Sequence, residues 1–88
     1  MGVAQICVLP ERGVIEVAGA EARTFLQGLI TNNMELVSPA RAISAALLTP
    51  QGKFLFDFLI VQPGEAFLLD CEAARLPDLV RRLYFYKL

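Results

Sequence analysis

Asp57 is the residue of this sequence that most needs a chemical reason. It stands inside Phe54-Leu-Phe-Asp-Phe-Leu-Ile-Val61, the one carboxylate in an otherwise apolar run. A carboxylate in such surroundings must find hydrogen-bond donors, a cation or a ligand to offset its lost hydration. Either nearby backbone satisfies it structurally, or it meets a ligand or a partner. Other chemistry-bearing groups are sparse. There is no histidine, which removes the usual general base and the commonest metal ligand. Cys7 and Cys71 lie far apart with no Cys-x-x-Cys spacing and read as buried, reduced thiols. No nucleophile–base pair, metal-ligand cluster or glycine-rich phosphate loop can be assembled, so no catalytic residue and no metal ligand is assigned. Arg75, Arg81 and Arg82 read as the solvated edge of a helix.

The element that must position Asp57 is a β-hairpin over residues 42–62. Pro50-Gln51-Gly52 supplies its turn: proline presets φ, and glycine accepts the positive φ that closes the loop. A three-residue loop pairs Leu48 with Phe54, Ala46 with Phe56 and Ser44 with Phe58 on one face. On the other face it pairs Leu47 with Leu55, Ala45 with Asp57 and Ile43 with Leu59. The phenylalanine face is the core face. The second face, Leu55, Asp57, Leu59 and Val61, is too apolar for open water and should be covered by another domain or subunit.

Around the hairpin, residues 5–9 and 14–18 read as strands. Residues 20–30 read as a helix with the stripe Ala22, Phe25, Leu26, Leu29 and Ile30. Thr31-Asn32-Asn33 should end it, asparagine tolerating the left-handed conformation. Residues 34–41 read as a loop and 66–71 as a strand. A second helix over 74–86 has Pro77 in its first turn, where proline costs little, and a stripe of Leu76, Leu79, Val80, Leu83 and Tyr84. This order implies an α+β chain, a ferredoxin-like split β-α-β with a mostly antiparallel sheet and two helices on one face.

With 88 residues, 56% of them hydrophobic, and a mean hydropathy of +0.53, the chain is a single small domain with apolar surface to spare. It ends just after Tyr84-Phe-Tyr-Lys87 without a helix-capping signal, and reads as a piece of a larger protein. The net charge of −1 gives no electrostatic case for nucleic acid or an anionic membrane. No run approaches the ~18 apolar residues of a membrane span. No secretory signal is visible, and with two reduced thiols the expected compartment is the cytoplasm.

Three signatures carry a resemblance. Arg12-Gly-Val-Ile-Glu-Val-Ala-Gly19 with Ala22-Arg-Thr-Phe-Leu-Gln-Gly-Leu-Ile-Thr-Asn32 resembles the opening signature of the YgfZ/GcvT-like folate-binding family. Leu47-Leu-Thr-Pro-Gln-Gly-Lys-Phe-Leu-Phe-Asp57 resembles its second signature, and Leu83-Tyr-Phe-Tyr-Lys-Leu88 its third. The resemblance implies the N-terminal part of a protein built around a tetrahydrofolate channel, with Asp57, Asn32 and Leu55 as the candidate folate contacts. The YgfZ branch is implied to assist iron–sulfur cluster assembly or repair, the GcvT branch to be the aminomethyltransferase of glycine cleavage. Two departures favour the first. Where the aminomethyltransferases carry adjacent aspartates, this chain has Phe56-Asp57, and where they carry Tyr-Ser it has Ser44-Ala45. The implied partners are folate and the remaining domains, or another subunit, on the Leu55/Asp57/Leu59 face.

Overall fold

A computed structural model describes residues 4–9, 13–48 and 51–87, with Phe54 described by its backbone alone. The chain is α+β, as its patterning requires. Strands β1 (Gln5–Leu9) and β2 (Val14–Ala18) precede helix α1 (Ala22–Gln27). Strands β3 (Ile43–Leu48), β4 (Phe54–Val61) and β5 (Phe67–Asp70) follow, and helix α2 (Leu76–Lys87) comes last. Short 3-10 turns occupy Met34–Leu36 and Ala73–Arg75. The sheet order is β1-β2-β5-β4-β3, and each neighbouring pair is antiparallel. Strands β2 and β3, joined through α1, are thus split by β5 and β4 between them, consistent with the ferredoxin-like split expected.

One alternation of every strand points to the helices. Ile6, Ile15, Val17, Phe67, Leu69 and Ile60 join Leu26 of α1 and Leu79 and Leu83 of α2 in one buried cluster. Phe56 and Phe58 lie in the same cluster, so their side of β4 is a core side, as the sequence implied, but on β3 the core residues are Ile43, Ala45 and Leu47, not the expected Ser44, Ala46 and Leu48. The opposite alternation carries no helix among the described residues; Cys7, Asp57, Leu59 and Asp70 are exposed on it, while Glu16 is half-buried and Val14 and Leu68 are buried.

The central hairpin departs from the expected register by one residue. Leu48 pairs with Phe54, but Leu47 then pairs with Phe56, Ala46 with Asp57, Ala45 with Phe58 and Ser44 with Leu59. A β-bulge leaves Leu55 as the extra residue between two paired ones, and a bulge re-aims the residues beside it. Leu55 therefore packs, half-buried, against the core cluster beside Phe56 and leaves the Asp57–Leu59 row. Gly52 takes the positive φ expected of it, +87°; Thr49 and Pro50 lie outside the described residues.

Helix α1 is shorter than its apolar stripe. It stops at Gly28, which stays in the right-handed region, and no non-glycine residue among those described has positive φ. The asparagines thus act through their side chains, not through a left-handed backbone. Residues 34–41 are more than a loop. Asn33 caps the 3-10 turn by accepting from the Glu35 amide at 2.9 Å, and Met34 and Val37 are buried in the core. Helix α2 has Pro77 in its first turn. Tyr84 reaches back from it to donate to the Ile6 carbonyl at 2.9 Å, tying the helix to β1.

Candidate functional site

The segment after α1 is laced to the free edge of β3. The Thr31 amide donates to the Ala46 carbonyl at 3.0 Å, and the Thr31 hydroxyl accepts from the Ala46 amide at 3.0 Å. The Asn32 side chain donates to the Ser44 carbonyl at 2.9 Å and accepts from the Asn33 amide at 2.7 Å. Helix α1 grips the same segment from behind. Gln27 donates to the Asn32 carbonyl and accepts from the Met34 amide, while Arg23 donates to the Met34 carbonyl and lies over the Phe67 ring, 5.0 Å from its centroid. Arg23 and Gln27 point away from the apolar stripe, and their polar pairing with a loop has no sequence period to reveal it. Asn32 is a clamp on the edge strand that flanks Ser44.

Asp57 sits on the open face of β4 and is exposed. Its neighbours come from three segments. Ser44 of β3, Leu59 of β4, and Asp70, Cys71 and Glu72 at the end of β5 line the same shallow hollow. Leu59 is 47% exposed and gives the hollow an apolar floor. The family-like pattern supplies one acidic position on β4, but the strand order β2-β5-β4 brings two further carboxylates beside it. No hydrogen bond or ion pair holds Asp57 among the described residues, so its acceptor oxygens are available. Burial pushes the Cys71 thiol above the ordinary thiol range; Asp70, Asp57 and Glu72 push the same way, with Arg75 opposing them. Cys71 is therefore held as a thiol, a poor nucleophile at neutral pH. Cys7 is exposed on the same sheet face, so only one of the two cysteines is even half-buried.

Leu55 does not join Asp57. It lines a different hollow with Phe56 and the side chains of α2. Arg75 anchors that region: its guanidinium donates to the Leu55 carbonyl at 2.9 Å and lies over the Phe56 ring, 4.5 Å from the centroid. The bulge thus has an arginine on it, not a solvated edge. Of the three candidate folate contacts, Asp57 faces the open sheet surface, Asn32 braces the strand beside it, and Leu55 faces α2. Among the described residues no group of three or more carboxylates and cysteines is arranged to hold a metal ion. No helix among them is long and apolar enough to cross a membrane.

No family model matches the sequence, but individual proteins do. The chain is 34% identical over 102 residues to the mitochondrial iron–sulfur cluster assembly factor IBA57 of Mus musculus, covering 99% of this chain and 28% of that protein. To the mitochondrial IBA57 homologue of Mycosarcoma maydis it is 31% identical over 97 residues, covering 96% of the chain and 24% of the relative. To the aminomethyltransferase of Bacillus subtilis it is 38% identical over 65 residues, covering 73% of the chain and 18% of the enzyme. Its homologues are GcvT-like proteins. The chain spans about a quarter of the length of the IBA57 relatives it matches. These relatives overturn the cytoplasmic assignment, because they are mitochondrial proteins and point to that compartment. A reading of the cysteines as reduced thiols distinguishes a reducing compartment from the secretory route. It does not separate the cytoplasm from the mitochondrial interior.

Proposed function

We propose that this chain is part of a tetrahydrofolate-binding protein, of the YgfZ branch, that assists iron–sulfur cluster assembly or repair. One observation carries the reading: the likeness to iron–sulfur assembly factors runs over 99% of the chain, while that to the aminomethyltransferase covers 73%. The higher local identity to the enzyme, 38%, is what keeps aminomethyl transfer as the second reading. Phe56 at the position before Asp57 weighs against it, since a carboxylate partner for the chemistry is missing from β4.

The residues around Asp57 suit one wall of a folate site. A reduced pterin presents several N–H donors along one edge, and carboxylates accept such donors with charge-assisted strength. Asp57 would take that edge, with the exposed Ser44 side chain as a further polar contact and Leu59 against the ring face. Asn32 would act one step away by fixing the β3 edge that carries Ser44. The hollow is open and shallow, whereas ligand pockets enclose most of a ligand's surface. The rest of the protein must therefore supply the other walls, packed over the Asp57/Leu59 row. It follows that residues 1–88 alone bind tetrahydrofolate weakly or not at all.

The test is to deplete the protein in cells and assay iron–sulfur enzymes and glycine cleavage side by side. Loss of iron–sulfur enzyme activity with glycine cleavage intact supports the proposal. Loss of glycine cleavage alone moves the protein to the aminomethyltransferase reading.

A further inference from the structure

The exposed side of α2 has a composition that a solvated helix face does not need. Phe85 is 67% exposed, the most exposed large apolar side chain among the described residues. Arg81 and Arg82, four and three residues before it, lie on the same side of the helix. With Arg75 they line a hollow whose apolar walls are Phe85, Leu55 and Phe56. Asp78 is the one acidic side chain lining it, paired with Arg81 at 3.5 Å in an exposed i,i+3 contact. Three arginines against one aspartate make the hollow basic in a chain whose net charge is −1. Arg75 is held in place by the Leu55 carbonyl and the Phe56 ring, so its remaining N–H groups are presented at little further cost in side-chain freedom. Arg82 has no ion-pair or hydrogen-bond partner among the described residues. Arginine forks bind carboxylates in bidentate fashion, and arginine and aromatic side chains are the residues that anchor interfaces.

We propose that this hollow docks an acidic peptide segment of a partner protein, its carboxylates on Arg75 and Arg82 and an apolar side chain against Phe85 and Leu55. Charge complementarity selects the occupant. An uncharged or basic segment would leave the unpaired guanidiniums desolvated, while an acidic one pairs them. The surface is separate from the Asp57 hollow, so the inference stands or falls independently of folate binding.

The probe is a fluorescein-labelled octapeptide of alternating glutamate and leucine, titrated against residues 1–88 by fluorescence anisotropy at low and at physiological salt. The expected result is saturable binding that weakens with salt and falls about tenfold or more in Arg82→Ala and in Phe85→Ala. Both side chains lie outside the buried core, so both variants should keep the wild-type circular dichroism spectrum and melting curve. A lysine–leucine peptide of the same length should not bind. The proposal is overturned if the acidic peptide does not bind, if binding is unchanged in both variants, or if the lysine peptide binds equally. It is also overturned if a single-stranded oligonucleotide binds the same surface more tightly, or if sedimentation shows a second copy of the chain occupying it.

Discussion

The contact between Arg75 and Phe56 can be measured by a double-mutant cycle, because each partner does something the other depends on. Phe56 is 6% exposed and belongs to the core; its ring face carries the Arg75 guanidinium at 4.5 Å, which also holds the Leu55 carbonyl at the bulge. Phe56→Ala would remove the whole ring and cost about 3–5 kcal/mol. At about 0.05–0.15 kcal/mol per residue, 88 residues have about 4–13 kcal/mol in all, so that variant risks unfolding outright. Phe56→Leu keeps apolar bulk and should cost about 1.5 kcal/mol in repacking, plus about 0.5–1 for the lost cation–π contact. Arg75→Met keeps the stem and removes the charge. It loses the same contact and one hydrogen bond worth about 0.5–1.5 kcal/mol, about 1–2.5 together. The double variant loses the cation–π contact only once, so it should be less destabilised than the sum by about 0.5–1 kcal/mol. Urea titration followed by circular dichroism resolves this, since slopes of about 1–3 kcal/mol per molar turn such differences into readable midpoint shifts. A cycle that closes within about 0.2 kcal/mol would refute the contact, and with it the claim that Arg75 is fixed in place at the bulge.

Three further outcomes are expected. Thr31→Val removes the hydroxyl that accepts from the Ala46 amide; it should cost about 1 kcal/mol, a fall of about 4–8 °C in Tm for a domain of this size. Exposed Cys7 should react with iodoacetamide well before Cys71, whose rate should climb only as pH passes above the ordinary thiol range; equal rates at neutral pH would contradict the placement of Cys71. For the same reason the contribution of Cys71 to stability is intact below the ordinary thiol pKa and lost as pH rises through its elevated folded value. Asp57→Asn should leave thermal stability within about 0.5 kcal/mol, because no hydrogen bond or ion pair holds Asp57 among the described residues, while lowering tetrahydrofolate affinity in the proposed longer folate-binding protein. Unchanged affinity would remove Asp57 from the site.

What the sequence discloses and what it conceals follow from the range of the forces involved. Alternation along Phe54–Val61 and the stripe of Leu76, Leu79, Val80, Leu83 and Tyr84 are local patterns, and they correctly assign strand and helix; of the stripe, Leu79 and Leu83 are buried, whereas Tyr84 is 47% exposed. The bulge at Leu55 has no such mark. Phenylalanine recurs at positions 54, 56 and 58 whether or not a residue is inserted opposite Leu47 and Leu48, so an unbroken hairpin is the natural reading. The error matters, because it puts Leu55 in a row with Asp57 when the structure divides them. The structural use of Arg23 and Gln27 is hidden for another reason: polar side chains that satisfy loop backbone obey no period. The grouping of Asp70 and Glu72 with Asp57 needs the strand order, a tertiary fact that no stretch of sequence encodes alone. Asn32 reads from the sequence as a helix-ending residue and as part of a family-like motif, and its physical role on the β3 edge comes instead from the backbone groups it meets.

The division between Leu55 and Asp57 makes the two proposed surfaces separable by experiment. They are two residues apart on one strand, yet one lines a hollow with two further carboxylates and the other a hollow with three arginines. An acidic peptide segment is disfavoured at the first and favoured at the second, and the N–H edge of a pterin ring has the opposite preference. As proposed, the arginine face needs only this chain's own residues, whereas the Asp57 face needs a covering wall from elsewhere. Docking of an acidic segment should therefore be measurable on residues 1–88, and tetrahydrofolate binding only on the longer protein. If Asp57→Asn weakened the acidic peptide as much as Phe85→Ala does, the two hollows would act as one surface, and the bulge would not divide the strand functionally.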